Sequence, residues 1–426
     1  MYEKKKAPLV RRMKEFVKTS VVWGPLDHNL FFTIIFLNVY GIIMVYSASY
    51  NNSITKNYSY FMNNQLKNVI FGFVIMIVAS YVNYHRIVRL GWGWFWLLAA
   101  VAIIAALKTP LAHSELGATR WIKLGPVSFQ AAEPIKAAII IFFAYYVSYW
   151  GLNRWYNQLL ACLLAIALLG FLFFFSNNLS TVIVLFCICA VIILSSVKKP
   201  DLYWYFLLGL ALIIIAAIFV TVYLLMHQGA ENFRFVRIRA WLHPEEYAAD
   251  EGLQAMQARY AIGAGGFWGK GLGQSLIKFK LSYSYNDFIL AIICEELGVF
   301  GVIVMMTLFG YLLYRIYKIA QNAWDIEGKV LAIGVFTQIA LQLLINVMVV
   351  TSVIPTTGVT LPFFSAGGTS VVFLLAELGM VLNVDKYAKE RRFFEEAERH
   401  VAQMEQRGGI GVAGWRRRLD SARTRR

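Results

Sequence analysis

Apolar runs of about twenty residues, each long enough to cross a bilayer as a helix, recur along most of this chain. Short polar connections separate most of these runs, whereas the 227–287 connection is longer than a simple tether requires. The pattern predicts an all-α polytopic membrane protein of about ten transmembrane helices. The predicted spans are 30–50, 66–83, 90–107, 134–150, 157–175, 180–196, 202–226, 288–316, 329–354 and 367–384.

The composition supports a membrane protein and excludes a soluble globular one. The chain is 59% hydrophobic and 15% charged, with a mean hydropathy of +0.59. We therefore expect a ten-helix membrane domain over residues 28–384, between a basic N-terminal segment, 1–27, and a basic tail, 385–426. All four cysteines lie in apolar runs without the spacing of metal ligands, so no metal site is predicted from them.

The formal net charge of +16 is concentrated at the two ends of the chain. Residues 1–27 carry seven Lys and Arg against three acids, and residues 385–426 carry twelve against seven. Basic residues also occupy every second connection, so both termini are expected in the cytoplasm. The 108–133, 227–287 and 355–366 connections then face outside, which makes 227–287 a large extracytoplasmic loop before the eighth helix. This distribution favours contact with anionic membrane lipids over nucleic-acid binding.

Three carboxylates flank or enter the eighth span in NDFILAIICEELG, residues 286–298. Asp287 lies at the N-terminal end of the predicted helix, where a carboxylate either caps the helix or takes part in a reaction. Glu295 and Glu296 are expected to be interfacial or to face a polar interior. Asp287 and Glu295 are about 12 Å apart along a continuous helix, too far for two carboxylates that flank one bond. We therefore favour the hypothesis that Asp287 acts alone as a base.

Cations on the predicted outer side are candidates for binding an anionic group. Arg120 lies in the connection before the fourth span, and Lys136 begins that span, where an ion pair with Glu133 is the alternative. Arg237 is one of several outward arginines that suit phosphate recognition, with pairing to nearby acids as the alternative.

The glycine-rich stretch IGAGGFWGKGLG, residues 262–273, contains Lys270 but does not fit the Walker phosphate-binding pattern. It is either a tight glycine turn or a flexible cradle for an anionic headgroup. Gln338, Gln342 and Asn346 form a polar stripe on the ninth span, which either joins helices or lines a cavity. Together these residues predict an outward-facing groove for an anionic, lipid-linked molecule.

Longer motifs extend across the whole predicted membrane region. They are YGIIMVYSAS (40–49), RWIKLG with FQAAEPIK (120–136), QARYAIGAGGFWGKGLGQS (257–275), YNDFILAIICEELG (285–298) and NVMVVTSVIPTTGVTLPFFSAGGTS (346–370). In this order the motifs resemble the SEDS family of shape, elongation, division and sporulation proteins, which includes FtsW, RodA and SpoVE. The 257–275 motif looks more like FtsW and SpoVE than RodA.

The resemblance implies a ten-helix glycosyltransferase of the bacterial cytoplasmic membrane. Such an enzyme polymerises lipid II, the undecaprenyl-pyrophosphate-linked precursor, into peptidoglycan strands in cell division, elongation or sporulation. A class B penicillin-binding protein and other divisome proteins are the implied partners. The essential acid of the family falls on Asp287, and the family motifs make Glu133 and Ser365 candidate substrate-binding residues. Ser365 is followed by Ala366 where the family has a tyrosine.

Our hypothesis is that Asp287 is a general base that takes the proton from the 4-hydroxyl of the acceptor N-acetylglucosamine. That oxygen attacks C1 of the donor N-acetylmuramic acid, and Arg120, Lys136, Arg237 and Lys270 stabilise the leaving pyrophosphate. No cofactor is required by this scheme, but a divalent cation, Mg²⁺ or Mn²⁺, held by Asp287 is an alternative. A lipid II flippase or transporter, and a divisome scaffold, are the competing functions.

Overall fold

The computed structural model is dominated by helices. It describes residues 22, 24–49, 60–110, 112–115, 118–125, 127–176, 178–197, 233–247, 251–279, 286–366 and 368–406. Its helices are α1 (His28–Ser49), α2 (Tyr60–Tyr81), α3 (Tyr84–Val88), α4 (Trp94–Ala106), α5 (Ala132–Trp150), α6 (Trp155–Ser176), α7 (Leu179–Ser196), α8 (Phe233–Leu242), α9 (Glu251–Gly265), α10 (Ile289–Gln321), α11 (Ile326–Val350) and α12 (Thr369–Gln406). The predicted span 202–226 lies outside the described residues, as do most of segment 1–27 and the end of the 385–426 tail.

Within the described ranges, six helices are long and apolar enough to cross a membrane: α1, α2, α6, α7, α10 and α11. The shorter α4 is also apolar. Large side chains such as Phe36, Leu98, Leu163 and Phe174 remain exposed on these helices, as expected for surfaces that face lipid. The chain is therefore a multi-pass membrane protein, while a total of ten spans stays a prediction.

A small β-sheet corrects the expectation of an all-α chain. Strands β1 (Ala112–Glu115), β2 (Ala118–Leu124) and β3 (Val127–Gln130) form an antiparallel sheet in the order β1-β2-β3. Trp121 pairs with Gln130 and Ile122 pairs with Phe129 across the second hairpin. Strands this short have a weaker sequence pattern than the long apolar runs, so the sequence did not predict them. They are stabilised by pairing with neighbouring strands. The sheet leads directly into α5.

The predicted large loop 227–287 is helical in much of its described part. It contains α8 and α9, and α9 packs against α10. The Trp241 indole N–H donates to the Ser352 carbonyl oxygen at 2.9 Å, which fixes α8 to the end of α11. This connection is thus a packed part of the protein.

Helices α10 and α11 pack against each other at the centre of the helix bundle. α1 and α9 pack on α10, and α5 and α7 pack on α11, while α12 lies along α2. Side-chain caps define where several helices begin. The Asp325 carboxylate accepts from the Gly328 N–H at 2.8 Å at the start of α11, and the Asp27 carboxylate accepts from the Leu30 N–H at 3.0 Å in α1.

Connections gather at two ends of the bundle, which we name the Asp27 end and the Asp287 end. At the Asp27 end, Arg315 of α10 pairs with Asp27, and Arg89 pairs with Glu327 at 2.8 Å. At the Asp287 end, residues from β3, the start of α5, the start of α7 and the 355–366 segment line one cavity. Helix α10 runs from the Asp287 end, where it begins at Ile289, toward the Asp27 end, where Arg315 pairs with Asp27. Which end faces the cytoplasm remains a prediction.

Candidate functional site

The turn that carries Asp287 comes directly before α10. Residues 286–288 form the turn, and Phe288 occupies the N-cap position of a helix that begins at Ile289. Asp287 therefore lies immediately before the N-cap residue, near the electropositive end of α10. Its side chain is partly buried at the Asp287 end of the bundle.

Two buried side chains hold the backbone of this turn. The Asn346 amide nitrogen donates to the Asp287 carbonyl oxygen and to the Val359 carbonyl oxygen, both at 2.9 Å. The Ser365 hydroxyl donates to the Asn286 carbonyl oxygen at 2.8 Å and accepts from the Leu361 N–H, also at 2.8 Å. Both side chains thus connect the Asp287 turn to the 355–366 segment.

The 355–366 segment joins α11 to α12 without regular secondary structure, as the sequence predicts. Leu361 and Phe364 are buried, so polar backbone atoms here need partners from the protein. Asn346 and Ser365 supply some of them, and the Ser180 hydroxyl donates to the Thr357 carbonyl oxygen at 2.9 Å. Irregular backbone is tolerated here because side chains satisfy it.

A small polar cavity of about 30 Å³, partly open to solvent, lies against this segment. Its lining residues come from β3, α5, α7, α11 and the 355–366 segment, and most carry amide, hydroxyl or charged groups. They are Gln130, Ala132, Glu133, Lys136, Asn178, Ser180, Thr181, Val184, Gln342, Gly358, Val359 and Thr360. Amides and hydroxyls of this kind can donate to and accept from a sugar. Gln342 lies on the polar stripe of α11, so at this position the stripe lines a cavity.

An ion pair lies in the wall of this cavity. The Lys136 ammonium is 2.8 Å from the Glu133 carboxylate, and both side chains are buried. The sequence offered this i,i+3 pair as the alternative to a free cation. In this structure Glu133 balances the charge of Lys136, and binding of an anionic group by Lys136 stays a prediction.

Glu377 is a buried acid that the sequence analysis did not single out. It lies on α12, accepts from the Gln338 side-chain amide at 2.8 Å, and is close enough to Lys136 and Glu133 for their charges to act on it. A single acid inside an apolar run was the available signal, because such residues are seldom without a partner or a function.

Glu295 and Glu296 are completely buried and belong to a network of polar contacts. The Lys270 ammonium is 2.7 Å from the Glu295 carboxylate, which also accepts from the Ser275 hydroxyl. The Lys278 ammonium is 3.5 Å from Glu296. Each carboxylate therefore has its own lysine, and these acids face the polar interior that was one expectation from the sequence.

The pairing with Glu295 also changes the interpretation of Lys270. Its positive charge is already balanced by a buried carboxylate, and its backbone N–H donates to the Glu295 carbonyl oxygen at 2.9 Å. Lys270 is thus placed to stabilise the glycine-rich stretch on α10. This geometry gives it a structural role, and its contact with the pyrophosphate stays a prediction.

The glycine-rich stretch packs its backbone against a break in α10. At Gly298 the helix leaves the helical region, with φ 65° and ψ −163°. The Val299 N–H donates to the Gly266 carbonyl oxygen at 3.1 Å across this break. A Cβ atom at Gly298 would lie 2.4 Å from the backbone nitrogen of Gly269. The tight-turn alternative therefore describes this stretch better than a phosphate cradle.

Two further predicted cations lie in elements near the Asp287 end. Arg120 belongs to β2, and its side chain lies outside the described part of the structure. Arg237 is partly buried in α8, the helix that Trp241 fixes to the end of α11. Among the described residues, no group of three or more His, Cys, Asp or Glu side chains could hold a metal ion.

The family comparison agrees with this architecture. A family model for cell cycle proteins, the FtsW, RodA and SpoVE family, matches residues 27–390. The chain is 31% identical over 382 residues to a probable peptidoglycan glycosyltransferase FtsW of Trichlorobacter lovleyi, covering 87% of this chain and 96% of that protein. It is 33% identical over 370 residues to the stage V sporulation protein E of Bacillus subtilis, covering 84% and 96%.

Solved structures show the same fold. A chain from work described as structural coordination of polymerization and crosslinking by a peptidoglycan synthase complex matches with a TM-score of 0.71 and 22% identity, covering 86% of this chain and 99% of that one. The rod shape determining protein RodA of Thermus thermophilus matches with a TM-score of 0.61 and 22% identity, covering 85% and 97%. The described helices thus follow an arrangement already seen in solved proteins.

Proposed function

This chain belongs to the FtsW, RodA and SpoVE family of cell cycle proteins, and from that membership we propose that it is a peptidoglycan glycosyltransferase that polymerises lipid II. The observation that carries the proposal is the similarity, over most of the chain, to relatives named as probable peptidoglycan glycosyltransferases. The similarity to a stage V sporulation protein leaves both cell division and sporulation as settings for the activity.

The reaction takes place at the outer face of the bacterial cytoplasmic membrane, with both termini in the cytoplasm. The basic connections and tails support this orientation. In it, the Asp287 end faces outside, and the 227–287 connection is a large extracytoplasmic loop before the helix α10. Lipid II presents its sugars at this end while its lipid chain remains in the bilayer.

Asp287 acts as the general base that accepts the proton of the attacking 4-hydroxyl of the acceptor sugar. Two features support this role: Asp287 precedes the N-cap residue of α10, and its backbone is hydrogen-bonded to the buried Asn346. A base held in this way keeps its geometry as the acceptor binds, and general-base catalysis contributes about 10²–10⁴-fold to a rate. The leaving pyrophosphate is already a stable anion and needs no dedicated proton donor.

The polar cavity, which is partly open to solvent, contacts sugar or phosphate groups of the substrate that bind at its mouth. Lys136 and Glu133 line it, and Lys136 turns toward the pyrophosphate as negative charge grows on the leaving oxygen. Arg120 and Arg237 supply further positive charge from β2 and α8. Ser365 serves the site through the backbone of the Asp287 turn, since its hydroxyl is already used in two hydrogen bonds.

A class B penicillin-binding protein and other divisome proteins are the proposed partners, with membrane lipids around the helices. A structural neighbour comes from work on polymerization and crosslinking by a peptidoglycan synthase complex, which supports a partner that cross-links the new strand. A divalent cation, Mg²⁺ or Mn²⁺, fits the alternative in which Asp287 supplies one carboxylate and the substrate supplies phosphate oxygens. Glycan synthesis that is abolished by a chelator and restored by Mg²⁺ supports that alternative.

The decisive experiment reconstitutes the purified protein in vesicles with labelled lipid II, with and without a class B penicillin-binding protein. We expect glycan polymer from the wild type and a loss of about 10²-fold or more in rate for Asp287→Asn, since the base is removed at nearly constant shape. Glu246→Gln is the matched control, because Glu246 is an exposed carboxylate of the same loop. It should polymerise at the wild-type rate.

The same assay separates the competing functions. Lipid II that crosses the bilayer without forming polymer indicates a flippase or transporter. If neither activity occurs, and truncation of the tails alone abolishes growth of cells, the chain is a divisome scaffold. If Asp287→Asn polymerises lipid II at the wild-type rate in a contaminant-free assay, Asp287 is not the general base.

A further inference from the structure

The two backbone carbonyl groups that precede Phe288 are both held by buried side chains. The Asn286 carbonyl oxygen accepts from the Ser365 hydroxyl, and the next carbonyl, that of Asp287, accepts from the Asn346 amide. The two donors belong to different elements, α11 and the 355–366 segment, so together they restrain the turn more than either one does. The turn that carries the acid is thereby fixed to α11 and to the 355–366 segment.

Asn346 contacts the Asp287 turn through its side-chain amide nitrogen. Its side chain is 0% exposed, and the two hydrogens of the amide are used by the carbonyl oxygens of Asp287 and Val359. Within the described residues its amide oxygen has no hydrogen-bond partner. A buried amide whose donors are both used while its acceptor is not is costly unless the two donated bonds matter.

Ser365 also makes two hydrogen bonds with its side chain, from the 355–366 segment. Its hydroxyl, 3% exposed as a residue, bridges the Asn286 carbonyl oxygen and the Leu361 N–H. Both side chains therefore bridge the Asp287 turn to residues 359–361 of the same irregular segment. Val359 also lines the polar cavity, so Asn346 connects the Asp287 turn to the cavity wall.

We propose that Asn346 and Ser365 are positioning residues that set the Asp287 carboxylate relative to the substrate in the polar cavity. The inference rests on the proposed glycosyltransferase function, because it concerns the geometry of that reaction. It assigns the polar stripe of α11 a specific task at Asn346, beyond joining helices. Misplacing a catalytic group by about 1 Å costs about 10²-fold in rate, so loss of either residue should act on kcat.

The test compares Asn346→Leu, Ser365→Ala and Ser365→Thr in the lipid II assay, with kcat and KM measured separately. Asn346→Leu and Ser365→Ala remove donors, whereas Ser365→Thr keeps the hydroxyl and should restore much of the rate. Thr337→Val is the matched control, because Thr337 is a buried residue of α11 whose hydroxyl bonds only to its own helix in the hydrogen bonds described, at Ile333. We expect kcat to fall by up to about 10²-fold with little change in KM.

Hydrogen–deuterium exchange of the same proteins gives a readout that does not depend on activity. The Leu361 amide loses its acceptor in Ser365→Ala and should exchange faster, together with the amides that follow the Asp287 turn. If the wild type makes glycan and both donor-removing variants keep its kcat, the inference is overturned and the function stands. A raised KM with unchanged kcat also overturns it, since it indicates direct substrate contact. If the wild type makes no glycan, the proposed function fails, and with it the role assigned here.

Should Asn346→Leu fail to fold, the Ser365 pair decides the question. A kcat that is low for Ser365→Ala and recovered for Ser365→Thr supports positioning by the hydroxyl. Equal losses in both Ser365 variants, with unchanged exchange at Leu361, contradict it.

Discussion

Buried charges in this protein are stable because each has a local partner. Lys270 pairs with Glu295, and Lys278 pairs with Glu296, at the point where the glycine-rich stretch meets α10. Both carboxylates are completely buried, so removing one lysine would leave a desolvated negative charge. The stability of each charge therefore depends on its partner.

We expect Lys270→Met to destabilise the protein, whereas Lys270→Met combined with Glu295→Gln should recover most of the stability. Breaking a buried pair costs about 3–5 kcal/mol, and the 33% exposure of the Lys270 side chain places the cost at the lower end. The double variant removes both charges, so no unpaired charge remains. Thermal unfolding in detergent and the lipid II assay measure the two effects. A stable but inactive double variant would show that Lys270 contacts the pyrophosphate after all.

At the scale of elements, the non-helical backbone of α10 at Gly298 allows the glycine-rich stretch to pack against this helix. The backbone conformation at Gly298 lies in a region that only glycine adopts readily, and the backbone of Gly269 fills the space where a Cβ would lie. The Gly266 carbonyl oxygen bonds across the break to Val299. The stretch and the helix therefore form one unit.

Gly298→Ala should destabilise this unit strongly, while Gly310→Ala on the same helix should be neutral or slightly stabilising. A strained backbone costs about 1–3 kcal/mol and the clash with Gly269 adds to it, whereas a Cβ at Gly310 meets nothing within 4 Å. Alanine at Gly310 also gains helix propensity. Thermal unfolding of the two variants tests this directly. Equal unfolding midpoints for the two variants would show that the break at Gly298 does not contribute to stability.

Helix α11 begins at a pH-sensitive contact with α3. Burial would raise the pKa of Asp325, but hydrogen bonds from His85, the Gly328 N–H and Tyr84 outweigh this effect and lower the pKa. The His85 Nε2 lies 2.7 Å from the Asp325 carboxylate. Since the folded pKa lies below the unfolded one, about 3.9, the stabilisation is complete above the unfolded value and is lost as pH falls through the folded value.

We therefore expect Asp325→Asn to be less stable than wild type at neutral pH and to lose less stability on acidification. The asparagine keeps its shape but carries no charge to lose. Thermal unfolding midpoints of both proteins from neutral pH to about pH 3 report the difference. Parallel curves would mean that the contact does not contribute to the pH dependence.

The whole molecule separates two kinds of chemistry at opposite ends of the bundle. At the Asp27 end, Arg315 pairs with Asp27 and Arg89 pairs with Glu327. The Asp287 end carries the polar cavity, with the Lys136–Glu133 pair in its wall, and the turn that Asn346 holds. The helices between them present apolar side chains outward, as expected for surfaces that face lipid. We therefore expect each end to face a different aqueous compartment.

Labelling of single cysteines should distinguish the two ends. In a variant without the four native cysteines, Glu246→Cys is expected to react with a membrane-impermeant maleimide in intact cells. Gln321→Cys at the Asp27 end should react only after the membrane is opened; both positions are exposed. The reverse pattern would place the Asp287 end in the cytoplasm and contradict the proposed outer site.

The sequence by itself determined the membrane class, the positions of the described spans and the identity of the family. Each of these depends on local composition or on a contiguous motif, and the length of an apolar run needs no knowledge of distant contacts. The same reasoning identified the Asp287 motif and the irregular segment at 355–366. It also left two alternatives for Lys136, and the structure shows the ion pair with Glu133, while pyrophosphate binding stays a prediction.

Only the tertiary structure decided which partners these residues have. Asn346 reaches Asp287 and Ser365 reaches Asn286 across long stretches of chain, and Lys270 meets Glu295 only because α9 packs on α10. The short β-sheet and the environment of Glu377 were missed for the same reason. A side chain's partner is set by how helices pack, and apolar periodicity along one helix carries no record of which neighbour it meets.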